Sequence, residues 1–81
     1  MFFKKVQSHI GELIRIRADL SSSQIARRFN GKICLIQEVH FKYGQDESRD
    51  RFAMTDLYVD GKIMRKFYLW EDETEFLQGP Q

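Results

Sequence analysis

The segment Phe52-Ala53-Met54-Thr55-Asp56-Leu57-Tyr58-Val59-Asp60-Gly61-Lys62-Ile63-Met64-Arg65-Lys66-Phe67-Tyr68-Leu69-Trp70 reads as two strands around a tight turn. Asp-Gly between two apolar runs predicts a two-residue hairpin of type I′, because both turn residues must adopt positive φ. That turn pairs Val59 with Lys62, Tyr58 with Ile63 and Leu57 with Met64. An unbroken ladder continues it to Asp56 opposite Arg65, Met54 opposite Phe67 and Phe52 opposite Leu69. One face then carries Phe52, Met54, Tyr58, Ile63, Phe67 and Leu69. The other carries Ala53, Leu57, Val59, Met64, Tyr68 and Trp70. Both faces are apolar, so either the hairpin is covered on both sides or one side receives a partner.

On the N-terminal side, Lys32 to Tyr43 reads as a long strand, with Ile33, Leu35, Val39, Phe41 and Tyr43 on one face. Cys34, Ile36, Glu38, His40 and Lys42 take the other. Residues 44–51 are polar and read as an exposed loop. Leu20 to Gly31 reads as a helix: Ser21 and Gln24 form a capping box, Leu20 and Ile25 a hydrophobic staple, and Asn30-Gly31 a stop. Residues 12–17 alternate as a strand. Residues 1–9 fit a short strand or a helix. On the C-terminal side, Glu71 to Glu75 reads as an acidic turn, Phe76-Leu77 as a short closing strand and residues 78–81 as a frayed end.

Eighty-one residues, 42% of them hydrophobic, allow a single small domain with one core. Four or five short strands with one short helix suggest a small, strongly curved antiparallel barrel. Through Ile10-Gly11-Glu12-Leu13-Ile14-Arg15-Ile16, Phe29-Asn30-Gly31-Lys32-Ile33-Cys34-Leu35-Ile36 and Leu69-Trp70-Glu71-Asp72-Glu73-Thr74-Glu75-Phe76-Leu77, the chain resembles the Src-homology-three-like barrels. These include KOW-type modules and the barrels common among short bacteriophage proteins. The resemblance implies binding to protein or nucleic acid rather than catalysis.

The chemistry of sites points the same way. His9, His40 and the single Cys34 have no zinc-site spacing, and His40 reads as an ordinary strand histidine. Cys34 reads as a small buried hydrophobe without a disulfide partner. Ser21 reads as a cap rather than a nucleophile. Glu71, Asp72, Glu73 and Glu75 lack the pattern of a calcium loop, and no phosphate-cradling glycine loop or nucleophile elbow is present. No enzyme, metal, cofactor or small-molecule substrate is expected. Met1-Phe2-Phe3-Lys4-Lys5 does not read as a signal peptide and no apolar run reaches about 20 residues, so a cytoplasmic protein with no membrane partner is expected.

The formal net charge of +1 hides a segregation. Residues 71–81 hold four acids and no base, leaving thirteen bases and eight acids, a net +5, in residues 1–70. Two working surfaces follow. The first expectation is a non-catalytic protein-interaction module, of the kind a phage accessory protein uses to dock on a larger complex. It would act through Tyr68, Trp70, Glu71, Asp72, Glu73 and Glu75. The alternative is a nucleic-acid-binding barrel using Arg15, Arg17, Arg27, Arg28 and Lys32. Self-association through an open strand edge is a third possibility.

Overall fold

The computed structural model describes residues 1–46 and 48–77. The chain runs α1 (Phe2–Gln7), β1 (Leu13–Ile16), α2 (Gln24–Arg28), β2 (Ile33–His40), β3 (Phe52–Val59), β4 (Lys62–Trp70), a 3₁₀ turn (Glu71–Glu73) and β5 (Thr74–Phe76). The protein is mainly β. Its five strands form one antiparallel sheet in the order β4-β3-β2-β1-β5, and no ladder joins β4 to β5 among the described residues. No helix among the described residues is long and apolar enough to cross a membrane.

The turn forms as its residues dictate. Asp60 and Gly61 have φ of 52° and 78°, and Val59, Tyr58 and Leu57 pair with Lys62, Ile63 and Met64. Beyond Leu57 the ladder departs from the expected register. Thr55 pairs with Phe67, Met54 with Tyr68, Ala53 with Leu69 and Phe52 with Trp70. A β-bulge on β4 causes the shift. Lys66 adopts φ of 57°, and its amide donates to Asp56 Oδ1 at 3.0 Å instead of to the ladder. A one-residue slip exchanges the faces of everything beyond it. Phe67 and Leu69 therefore join Ala53, Thr55, Leu57 and Val59 on the buried side, while Tyr68 and Trp70 turn outward. Burying Phe67 and Leu69 is worth about 1.5–3 kcal/mol each, far more than the loss of one ladder hydrogen bond of about 1 kcal/mol.

A second bulge lies on β2, between Ile36 and Glu38. It moves Val39 to the core side with Cys34 and Ile36, and places Glu38 and His40 on the outer side with Leu35. The face assignment expected for Lys32 to Tyr43 thus holds only up to Ile36. The strand ends at His40, and Tyr43 is fully exposed.

The core gathers Ile14, Ile16, Cys34, Ile36, Ala53, Leu57, Val59, Phe67 and Leu69 under Phe2, Phe3 and Val6 of α1. Residues 1–9 are therefore a docked helix rather than a strand, giving two short α-helices where one was expected. Phe29, just after α2, packs edge-on against Phe67 from the same side. α2 is shorter than expected, and its cap is Ser23, whose hydroxyl accepts from the Ala26 amide at 3.2 Å. Asp19 explains the shift. Its carboxylate takes the Ser21 amide and the Ser21 and Ser22 hydroxyls, so those serines close a turn ahead of the helix. Leu20 and Ile25 stay exposed, and no staple forms. The acidic segment splits into the 3₁₀ turn and the start of β5, and Phe76 closes over the core against Phe2. The tail assigned to 78–81 lies outside the described residues.

Candidate functional site

α1 packs on one side of the sheet and Phe29, just after α2, joins it there, while the exposed residues of β3 and most of those of β4 lie on the other side. Phe52, Met54, Asp56 and Tyr58 of β3 face this side. Ile63, Arg65, Tyr68 and Trp70 of β4 flank them on one edge, and Leu35, Glu38 and His40 of β2 on the other. Sheets with a single covered face ordinarily show polar residues outward. This one shows aromatics.

Phe52 sits between two β4 rings. It stacks on Tyr68 with centroids 5.5 Å apart and planes 10° apart, and meets Trp70 at 5.3 Å in a tilted contact. Lys42 Nζ lies 4.8 Å from the Tyr68 ring centroid and 6.0 Å from that of Phe52. Tyr68 and Trp70 keep 37% and 40% of their surface exposed. The rings hold one another in place and still present accessible area, so little order is lost when a partner covers them. Phe52 was not expected here, because the unbroken register paired it with Leu69.

Asp56 lies at the centre of the same face, between the two bulges, and is almost fully buried. Its Oδ1 accepts the Lys66 amide and lies 3.0 Å from His40 Nε2, and its Oδ2 lies 3.7 Å from Arg65 Nη1. The Lys66 amide holds the Asp56 carboxyl below the usual carboxylate range. Burial opposes this, and His40 and Arg65 add to the lowering. The expected Asp56–Arg65 pairing is therefore present as an ion contact, although the bulge replaces the plain cross-strand step.

The other sequence-nominated residues divide. Tyr68 and Trp70 come together, and Glu71, Asp72 and Glu73 follow at the end of β4. Glu71 is 3.8 Å from Arg51 Nε. Asp72 and Glu73 have no side-chain ion partner among the described residues. Glu75 sits on β5, 3.5 Å from Arg15 and 3.8 Å from Arg17. The five basic residues differ in their ion partners. Arg15 and Arg17 share Glu75, and Lys32 pairs with Asp60 at 3.1 Å. Arg27 and Arg28 on α2 have no ion partner among the described residues. Arg17, Ala18, Asp19, Asp72, Thr74 and Glu75 line a shallow polar hollow. Cys34 is buried, and burial pushes its thiol up to about 11, with Asp60 adding to it, which leaves it protonated and unreactive at neutral pH.

Comparison with protein-family models, with curated proteins and with solved structures finds no match.

Proposed function

We propose that this chain is a non-catalytic protein-interaction module whose working surface is the open sheet face around Phe52, Tyr68 and Trp70. The observation that carries this reading is the cluster of three rings, with Tyr68 and Trp70 exposed around a partly buried Phe52. Aromatic residues with Met and Arg are the types enriched at interface centres, and Met54 and Arg65 adjoin the rings. The carboxylates of Asp72 and Glu73, without an ion partner among the described residues, border Trp70, so the partner is a segment combining Lys or Arg with large apolar side chains. Pairing of Arg15, Arg17 and Lys32 with acids favours this reading over nucleic acid, since neutralised arginines release few phosphate counterions.

The barrel resemblance belongs to the same proposal. Its support is the reach of the chain. Four strand spacings separate β4 from β5 in the sheet order, about 19 Å if flat. Yet Trp70 and Thr74 are linked by three residues, which reach at most about 14 Å, and Thr74 Oγ1 donates to the Trp70 carbonyl at 2.7 Å. A curved sheet would bring the two strands within that span, and the barrel reading rests on this reach alone.

The stacked rings with Lys42 are also what a single-stranded nucleic acid would use, so the test includes both ligands. Fluorescence anisotropy would follow a labelled peptide of alternating Arg and Leu or Phe, its acidic counterpart, and a labelled single-stranded oligonucleotide. The expected result is binding of the cationic peptide, weakened about 30-fold by Trp70→Ala, the range of an interface hot spot. Arg27→Ala with Arg28→Ala should leave it unchanged. Tight oligonucleotide binding that falls steeply with salt, without peptide binding, overturns the reading.

A further inference from the structure

We propose that Glu38, His40 and Asp56 form a binding site for a divalent transition-metal ion, zinc in the first instance, at the centre of the open sheet face. The three side chains each bring one ligand atom, and these atoms lie within 4.8 Å of one another. They come from adjacent strands, Glu38 and His40 from β2 and Asp56 from β3. Glu38 and Asp56 are directly paired across the ladder. The β2 bulge is what places them together. Without it Glu38 and His40 would share the side of Ile36, facing the core.

Two features mark the cluster as more than a surface charge group. His40 Nε2 is sealed from water and makes no hydrogen bond, although Asp56 Oδ1 is 3.0 Å away. That nitrogen and the Asp56 oxygen stand close enough to hold one ion between them. Tetrahedral zinc with bonds of about 2.0–2.1 Å sets its ligands about 3.3 Å apart. The His40–Asp56 separation is already close to that, and Glu38 is exposed and free to swing in. The donor set of one imidazole and two carboxylates suits zinc better than magnesium or calcium, which take oxygen donors. The competing cation is Arg65, whose side chain is 73% exposed with its guanidinium 3.7 Å from Asp56 Oδ2, so it can move aside. Lys66 faces the site through its backbone amide, which stays on Oδ1 and orients the carboxylate. Three protein ligands leave a fourth position open to water.

The spacing Glu38-x-His40 with Asp56 sixteen residues further on has no sequence signature. This is why the histidine count alone suggested no metal site.

The test is isothermal titration of the full, chelator-treated chain with zinc chloride, together with cobalt(II) absorption and the His40 ring ¹⁵N shifts. One saturable equivalent, a tetrahedral cobalt spectrum and a zinc-dependent shift of His40 Nε2 are expected, with no competition from millimolar magnesium. Loss of outer-shell partners alone weakens metal sites 10–100-fold, so His40→Ala and Glu38→Gln should each weaken zinc about 100-fold while both variants stay folded by circular dichroism. Glu73→Gln should change nothing. Absence of a saturable equivalent, or zinc binding unaltered in both His40→Ala and Glu38→Gln, overturns the proposal.

Discussion

The two halves of the β3–β4 hairpin are built from similar residues and behave differently. Near the turn, from Leu57–Met64 to Val59–Lys62, the ladder is regular and follows from Asp60-Gly61. Beyond Lys66, from Thr55–Phe67 to Phe52–Trp70, every pairing is one residue out of step with the turn. The near half has a register set locally by backbone sterics. The far half has one set by what can be buried. A single residue in left-handed backbone reconciles them, sending Phe67 and Leu69 inward and Tyr68 and Trp70 outward. The proposed working face and the core are thus alternative destinations for the same four side chains, and the bulge makes the assignment.

Shifting the far half by one residue breaks that contrast most severely. An alanine inserted directly after Lys66 moves Phe67 opposite Met54 and turns Phe67 and Leu69 to solvent. About 1.5–3 kcal/mol is lost for each, against a total stability of roughly 4–12 kcal/mol for a chain of this length. The insertion variant should lose cooperative thermal unfolding by circular dichroism and collapse in amide shift dispersion. An insertion variant with native dispersion would show that the far half does not depend on a one-residue bulge.

Next in size is a paired comparison within the far half. Leu69→Ala opens a cavity in the core and should cost about 2–5 kcal/mol in urea unfolding. Tyr68→Ala, one residue away but on the open face, should cost about 1 kcal/mol or less, since it loses only part of a ring stack. Equal costs would mean that the outer face is also packed. In the near half, Gly61→Ala tests the turn, where φ of 78° costs an L-residue about 1–2 kcal/mol.

The near half was legible because its turn has a chemical signature. Asp-Gly announces positive φ, and the register follows for as long as nothing intervenes. The far half was not legible because its bulge residue is Lys66. A glycine there would have signalled left-handed backbone, while a lysine in the middle of an apolar run reads as ordinary strand. The same blindness hid the β2 bulge, and with it the meeting of Glu38, His40 and Asp56. Tyr68 and Trp70 were visible as candidates from their type. Phe52, which organises them, was not, since its ring neighbours depend on register. At α2 the signature existed three times over, in Ser21, Ser22 and Ser23. Asp19 captured the first two and left the third to cap the helix.

The contrast is sharpened at Asp56, which borders both halves and anchors the bulge through the Lys66 amide. Its carboxyl is held below the ordinary unfolded value of about 3.9. A group depressed in the folded state contributes its full stabilisation above the unfolded value and loses it as pH falls through the folded one. The unfolding midpoint should therefore drop on acidification below about pH 4, and Asp56→Asn should flatten that acid limb while lowering stability at pH 7. An acid limb unchanged in Asp56→Asn would assign the effect to other carboxylates.

The smallest effect tests the strain at the bulge itself. Lys66 is a side-chain-bearing residue at φ of 57°, a conformation that costs about 1–2 kcal/mol outside glycine. Glycine removes that cost but adds about 0.5–1 kcal/mol of unfolded-chain entropy. The Lys66 amide that holds Asp56 is retained in either case. Lys66→Gly should then raise the unfolding free energy by about 0.5 kcal/mol, read as a slightly higher urea midpoint at unchanged m value. The wild-type and variant chains should keep the same far-half register by amide hydrogen exchange. A destabilised Lys66→Gly would show that the lysine side chain contributes to the bulge. The far half would then be fixed by a side-chain contact as well as by burial, and the distinction between a locally set and a burial-set register would narrow.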